Sequence, residues 1–308
     1  MINRVLIRLK IVQVVYAYYQ NPGKSVDAAE KELFFSLSKA YDLYHYMLML
    51  MPAITDFALR RIESARQKLA PSAEDLKPNT RFVENKFIAQ LEANKQLREY
   101  AEKQKRSWEG EDLILKTLYE QVTSADIYKE YMSLHGEITY EDDRELWRRL
   151  YKTVICDNED LDAFLEEQSL YWNDDKAIVD SFVLKTIRRF DESAGADQAL
   201  LPEYKAEEDR DFARRLFRRA IVNGEQYRKL ISDNTRNWDS ERVAMMDMVI
   251  MQCALAELFS FPEIPMNVTF NEYVEIAKAY STNRSGAFVN GTLDGIVKVL
   301  RQEGKLVR

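Results

Sequence analysis

Three observations predict an all-α fold. The 308 residues include only 9 Gly and 7 Pro, too few turn formers for a chain rich in strands and reversals. Apolar residues recur every three to four positions through most of the length, the period of a helix with one buried face. Leu, Ala, Glu, Lys and Arg are abundant, and all favour helices. Hydrophobic content of 46% supports a substantial core, and 31% charge supports a solvated surface.

The first helix is predicted within residues 1–26. Val5, Leu9, Val12, Tyr16 and Tyr19 share one face, and Asn21-Pro22-Gly23 ends it. This segment has Arg4, Arg8, Lys10 and Lys24 and no acidic residue. On its own residues it is a core helix with surface cations. A second helix spans 25–50, with Ser25 as N-cap and Leu33, Leu37, Tyr44 and Leu48 as apolar positions. Pro52 is expected to kink or restart the chain into a third helix over 53–69. Residues 70–80 read as a loop. Residues 81–107 read as a charged helix with a narrow apolar stripe at Phe82, Phe87, Leu91, Leu97 and Tyr100.

Three further helical patterns cover about 111–135, 141–168 and 173–191, before a break at Ser193-Ala194-Gly195-Ala196. A helix over 206–231 follows, then Trp238 and a strongly apolar helix over 240–260 that stops at Pro262 and Pro265. A weak repeat at an offset of 66 residues pairs Asp143-Arg144 with Asp209-Arg210, Arg148-Arg149-Leu150 with Arg214-Arg215-Leu216, and Trp172 with Trp238.

The last stretch, Ile264 to Leu300, reads as two helices around the polar loop Ser281–Gly286. Thr269 and Glu272 have capping-box spacing. Gly291, inside a helix, suggests close approach of a neighbouring helix. Pro265, Val268, Asn271-Glu272, Glu275-Ile276-Ala277-Lys278, Ser285, Phe288-Val289-Asn290-Gly291 and Leu293-Asp294 resemble the C-terminal part of the NusB family of transcription antitermination factors. The same module occurs as the RNA-binding domain of rRNA cytosine methyltransferases. Gln13 and Tyr16, with Arg4 and Arg8 upstream, resemble the family's first helix, although Val5-Leu6-Ile7 stands where relatives often carry consecutive arginines. Trp238–Arg242 and Ala254-x-x-Glu257-Leu258 also fit.

The resemblance implies a NusB-like helical bundle with an extra helical insertion: core helices in 1–50, an insertion at 52–205 and completing helices in 206–308. It implies binding of single-stranded boxA-type RNA from rRNA operon transcripts. Its partners would be the ribosomal protein NusE and the RNA polymerase antitermination complex. The residues it points to are Arg4, Arg8, Lys10, Gln13, Tyr16, Arg284, Ser285, Phe288 and Asn290. The second reading is a helical protein–protein scaffold of the same fold with weak or lost RNA binding.

The net charge of −7 requires any nucleic-acid contact to be a local basic patch. No phosphate-binding loop motif is present, and the two histidines and two cysteines have no metal-ligand spacing. No cofactor and no catalysis are expected, and no apolar run is long enough to cross a membrane. The chain reads as cytoplasmic, with buried thiols in a reducing compartment.

Overall fold

Helical periodicity becomes helices throughout. In the computed structural model, described over residues 1–235 and 243–305, the secondary structure is helical, and the only β feature among the described residues is an isolated bridge between Ile2 and Tyr204. Trp238 and the Trp238–Arg242 stretch lie outside the described residues. The chain divides into two compact units: Met1 with Lys39–Glu203, and Ile2–Ser38 with Tyr204–Arg308.

The unit of Ile2–Ser38 and Tyr204–Arg308 is built around one helix. It contains α1 (Arg4–Gln20), the start of α2 (Val26–Arg66), α11 (Glu207–Val222), α12 (Gly224–Asn234), α13 (Met245–Ser260), α14 (Met266–Tyr280) and α15 (Ser285–Gln302). From Val249 to Leu258, α13 is buried without interruption. A helix apolar all round must be enclosed, and α13 packs against α1, α11, α12, α14 and α15. Asn3 caps α1 by accepting the Leu6 N–H at 2.9 Å. The pattern over 206–231 divides into α11 and α12 at Asn223-Gly224. A Cβ at Gly224 would lie 2.5 Å from the Tyr19 hydroxyl and 2.9 Å from Gln252 Nε2.

The other unit holds the rest of α2, α3 (Ala73–Leu76), α4 (Lys86–Ala93), α5 (Lys95–Gln104), α6 (Asp112–Ser124), α7 (Asp126–Ser133), α8 (Tyr140–Leu150), α9 (Glu159–Gln168) and α10 (Lys176–Arg189). Its core is aromatic: Phe82 beside Trp147, Phe87 beside Phe190, and Tyr46 between Trp108 and Trp172.

Several expectations are corrected here. α2 runs unbroken through Pro52. An internal proline costs about 3 kcal/mol. Met47, Leu48, Leu50, Met51 and Ile54 on both sides of it are fully buried, at about 1.5–3 kcal/mol each, so burial holds the helical register. The helix expected over 81–107 is two helices hinged at Asn94. Its side chain accepts the Leu97 N–H at 3.0 Å and donates to Gln198 O at 2.7 Å. A short turn, α3, lies within the expected loop, closed by a Ser72–Asp75 capping box. The 111–135 pattern divides at Ala125, and the 141–168 pattern divides after a π-helical turn at Tyr151–Ile155.

The 66-residue correspondence extends over three successive helices. α8 with its π turn, α9 and α10 match α11, α12 and α13 in order and similar length. Leu150 and Leu216, Tyr151 and Phe217, Leu161 and Tyr227, Leu165 and Ile231, and Val183 and Val249 are buried at equivalent positions.

Candidate nucleic-acid interface

The expected site residues separate by burial. Arg8 and Lys10 are each only 3% exposed. Arg8 Nε and Nη2 donate to the two Glu257 carboxylate oxygens at 2.8 and 2.9 Å. Glu257 is fully buried and also accepts from Thr269 Oγ1 at 2.8 Å and the Tyr273 hydroxyl at 3.3 Å. Burial works against the Arg8 charge, but the hydrogen bond and field of Glu257 outweigh it, so the guanidinium is held above the usual arginine range. The same burial and carboxylate push the Tyr273 hydroxyl well up. As placed, Arg8 is an internal strut of the unit rather than a surface cation. Thr269 is thereby engaged with Glu257 rather than capping α14, whose N-cap is Pro265.

Arg4 lies at the surface with a side chain 38% exposed, pairs with Asp209 at 3.2 Å and stacks over Phe212. Gln13 and Tyr16 are half-buried, three residues apart on one flank of α1. Tyr19 continues that flank.

At the other end of the sequence, Ser285 is 1% exposed and donates to Asp247 Oδ2 at 2.9 Å. It also accepts the Thr282 N–H at 3.0 Å, fixing the Ser281–Arg284 loop. Arg284 is exposed at the N-terminus of α15, with no ion pair among the described residues. Phe288 is half-buried and Asn290 exposed. The Gly291 expectation is corrected: a Cβ there meets nothing within 4 Å. Close approaches occur instead at Gly224 and at Gly286, whose Cβ would lie 2.8 Å from Lys278 Cγ.

Arg8 reaches α13 at Glu257 and Ser285 reaches it at Asp247. Ten residues of helix separate those anchors, about 15 Å of rise. The two groups therefore sit at different levels of α13 and do not form one cluster.

Sequence reasoning missed the contact between them. Arg228 of α12 lies over Tyr19, its Cζ 3.6 Å from the ring centroid, and its Nε donates to Gln252 Oε1 at 2.9 Å. Gln252 Nε2 donates to the Tyr19 hydroxyl at 2.9 Å and to Ala220 O at 2.7 Å. Partners more than 200 residues apart leave no local signal.

Comparison with known proteins decides the family. A profile described as "NusB family" matches residues 181–298, from within α10 to within α15. Transcription antitermination protein NusB of Salinibacter ruber (strain DSM 13855 / M31) is 40% identical over 130 residues, which is 40% of this chain and 81% of that protein. The chain belongs to the NusB family. NusB of Geotalea daltonii (strain DSM 22248 / JCM 15807 / FRC-32) is 35% identical over 133 residues, 43% of this chain and 89% of the relative. NusB of Koribacter versatilis (strain Ellin345) is 40% identical over 99 residues. These matches span most of each NusB relative and less than half of this chain, which is longer than they are. Among the described residues no helix is long and apolar enough to cross a membrane.

Proposed function

We propose that this NusB-family chain is a transcription antitermination factor. It binds single-stranded boxA-type RNA of rRNA operon transcripts together with the ribosomal protein NusE, within the RNA polymerase antitermination complex, in the cytoplasm and without catalysis. The observation that carries the reading is the match at 35–40% identity to proteins named for antitermination. In this reading Arg4, Gln13 and Tyr16 on α1, and Arg284, Phe288 and Asn290 on α15, face the RNA. Arg8, Lys10 and Ser285 hold those elements in place from inside. Single strands suit such a surface, because exposed bases stack on aromatic rings and hydrogen-bond along their edges. Residues 1–50 and 206–308 supply the family module in this reading and 52–205 is an addition to it, with the family profile already beginning at residue 181 in α10. A titration of the full chain with labelled boxA-type RNA, with and without NusE, tests the proposal. Saturable binding strengthened by NusE supports it.

The scaffold alternative rests on one observation. The two central cations of the first helix, Arg8 and Lys10, are buried, which leaves α1 with few charges for phosphate. Binding of NusE without RNA binding at low salt would select it.

A further inference from the structure

We propose that Arg228 stacked on Tyr19 is a nucleobase platform for single-stranded RNA, a contact resting on the RNA-binding reading above. The guanidinium plane is held, not swinging. Tyr19 supports one face at 3.6 Å, and Gln252 takes its Nε N–H at 2.9 Å. Gln252 is itself fixed by the Tyr19 hydroxyl and by Ala220 O. Gly224 lets this stack form, since any side chain there would strike the Tyr19 hydroxyl.

The charge of Arg228 is not consumed. Arg4, Arg8, Arg214 and Arg218 each face a carboxylate, respectively Asp209, Glu257, Glu30 and Glu30. Arg228 has no ion pair among the described residues, and its Nη2, which is buried, has no hydrogen-bond partner. A half-buried arginine stacked on tyrosine and free of carboxylate offers a cationic plane. Bases stack on such planes and on aromatic rings with little dependence on sequence. Tyr18 stands edge-on to Tyr19 with centroids 5.5 Å apart, adding a second half-buried ring at the same place. α12 also packs against α15, so the platform's own helix adjoins the helix that carries Arg284.

The test uses the full chain, with NusE, and a fluorescein-labelled single-stranded boxA-type RNA followed by anisotropy. Arg228→Ala and Tyr19→Leu are each expected to weaken binding roughly tenfold, within the range for loss of one stacked base. Arg228→Lys keeps the charge but not the plane and is expected to weaken binding nearly as much. Circular dichroism melts check the fold of each variant. If a variant unfolds, ultraviolet crosslinking of the unmodified protein to 4-thiouridine-substituted RNA decides, with the crosslink expected on a peptide containing Tyr18, Tyr19 or Arg228. Full affinity in Arg228→Lys, or crosslinks confined to other peptides, would overturn the platform. Unchanged affinity in Arg228→Ala alongside weakened binding in Arg284→Ala would overturn it and leave the RNA-binding reading standing. No binding by the unmodified protein in the presence of NusE removes both.

Discussion

Arg8 carries a charge into a space with almost no water, and Glu257 meets it there with four donors arranged around one carboxylate. Removing one member of such a pair strands the other, at a cost of about 3–5 kcal/mol. Arg8→Ala is therefore expected to lower stability by that amount in urea unfolding followed by circular dichroism. A loss below about 1 kcal/mol would show that the pair is not the strut described. The sequence placed Arg8 among charges on a helix, and that was correct as far as it went. Its partner lies 249 residues away, so nothing local separated an internal ion pair from a surface cation. Gln13 and Tyr16, by contrast, were named by the family resemblance, and helical spacing adds only that they share one flank of α1.

His45, in the other unit, makes a pH prediction. It is buried, stacks on Tyr100 at 3.7 Å, and its Nδ1 lies 2.9 Å from Tyr41 O. Burial lowers its pKa to about 4, against a smaller opposing effect of the Tyr41 carbonyl. The unfolded chain thus binds a proton that the folded chain refuses. Stability from this site is complete above about pH 6.5 and falls as pH drops toward 4, by about 3 kcal/mol in total. Denaturation midpoints measured from pH 7 to 4 are expected to show this slope, and His45→Phe is expected to flatten it.

At the scale of elements, two helix glycines should behave oppositely. Gly291 is exposed inside α15 with open space at its Cβ, so Gly291→Ala should raise stability by up to about 1 kcal/mol. Gly224→Ala should lower it by about 1–3 kcal/mol, the cost of forcing a group into a filled site, because Tyr19 and Gln252 occupy that space. Thermal melts of the two variants check both signs. The existence of nearly every helix was legible from period and composition. The breaks were less so. Pro52 gave a strong local stop signal that burial on both sides overrode. Asn94, Asn158 and the Asn223-Gly224 junction end helices through side-chain caps or tight contacts, which periodicity does not register.

At the scale of the whole chain, an excess of 51 acidic over 44 basic residues limits how many phosphates can be met. With Arg8 and Lys10 buried, the exposed or half-exposed cations of the proposed surface are Arg4, Arg228 and Arg284. At about −0.7 per phosphate for a single strand, the log–log slope of RNA affinity against salt should be near −2. A slope steeper than about −6 would require a cationic surface elsewhere.

The match of α8–α10 to α11–α13 gives this last point an internal comparison. Position 162 in α9 is the equivalent of position 228 in α12, and there Asp162 replaces the arginine. Two like frames in one polypeptide have been given opposite electrical signs at the same address. Around Asp162 the cavity, of about 200 Å³, is lined by Asp157, Glu166, Asp174 and Asp180, with Lys176 pairing Asp162 at 3.3 Å and Asp180 at 2.8 Å, so acidic side chains outnumber the one cation there. The frame of α8–α10 therefore lacks, at the matched position, the arginine proposed as a base platform on α12.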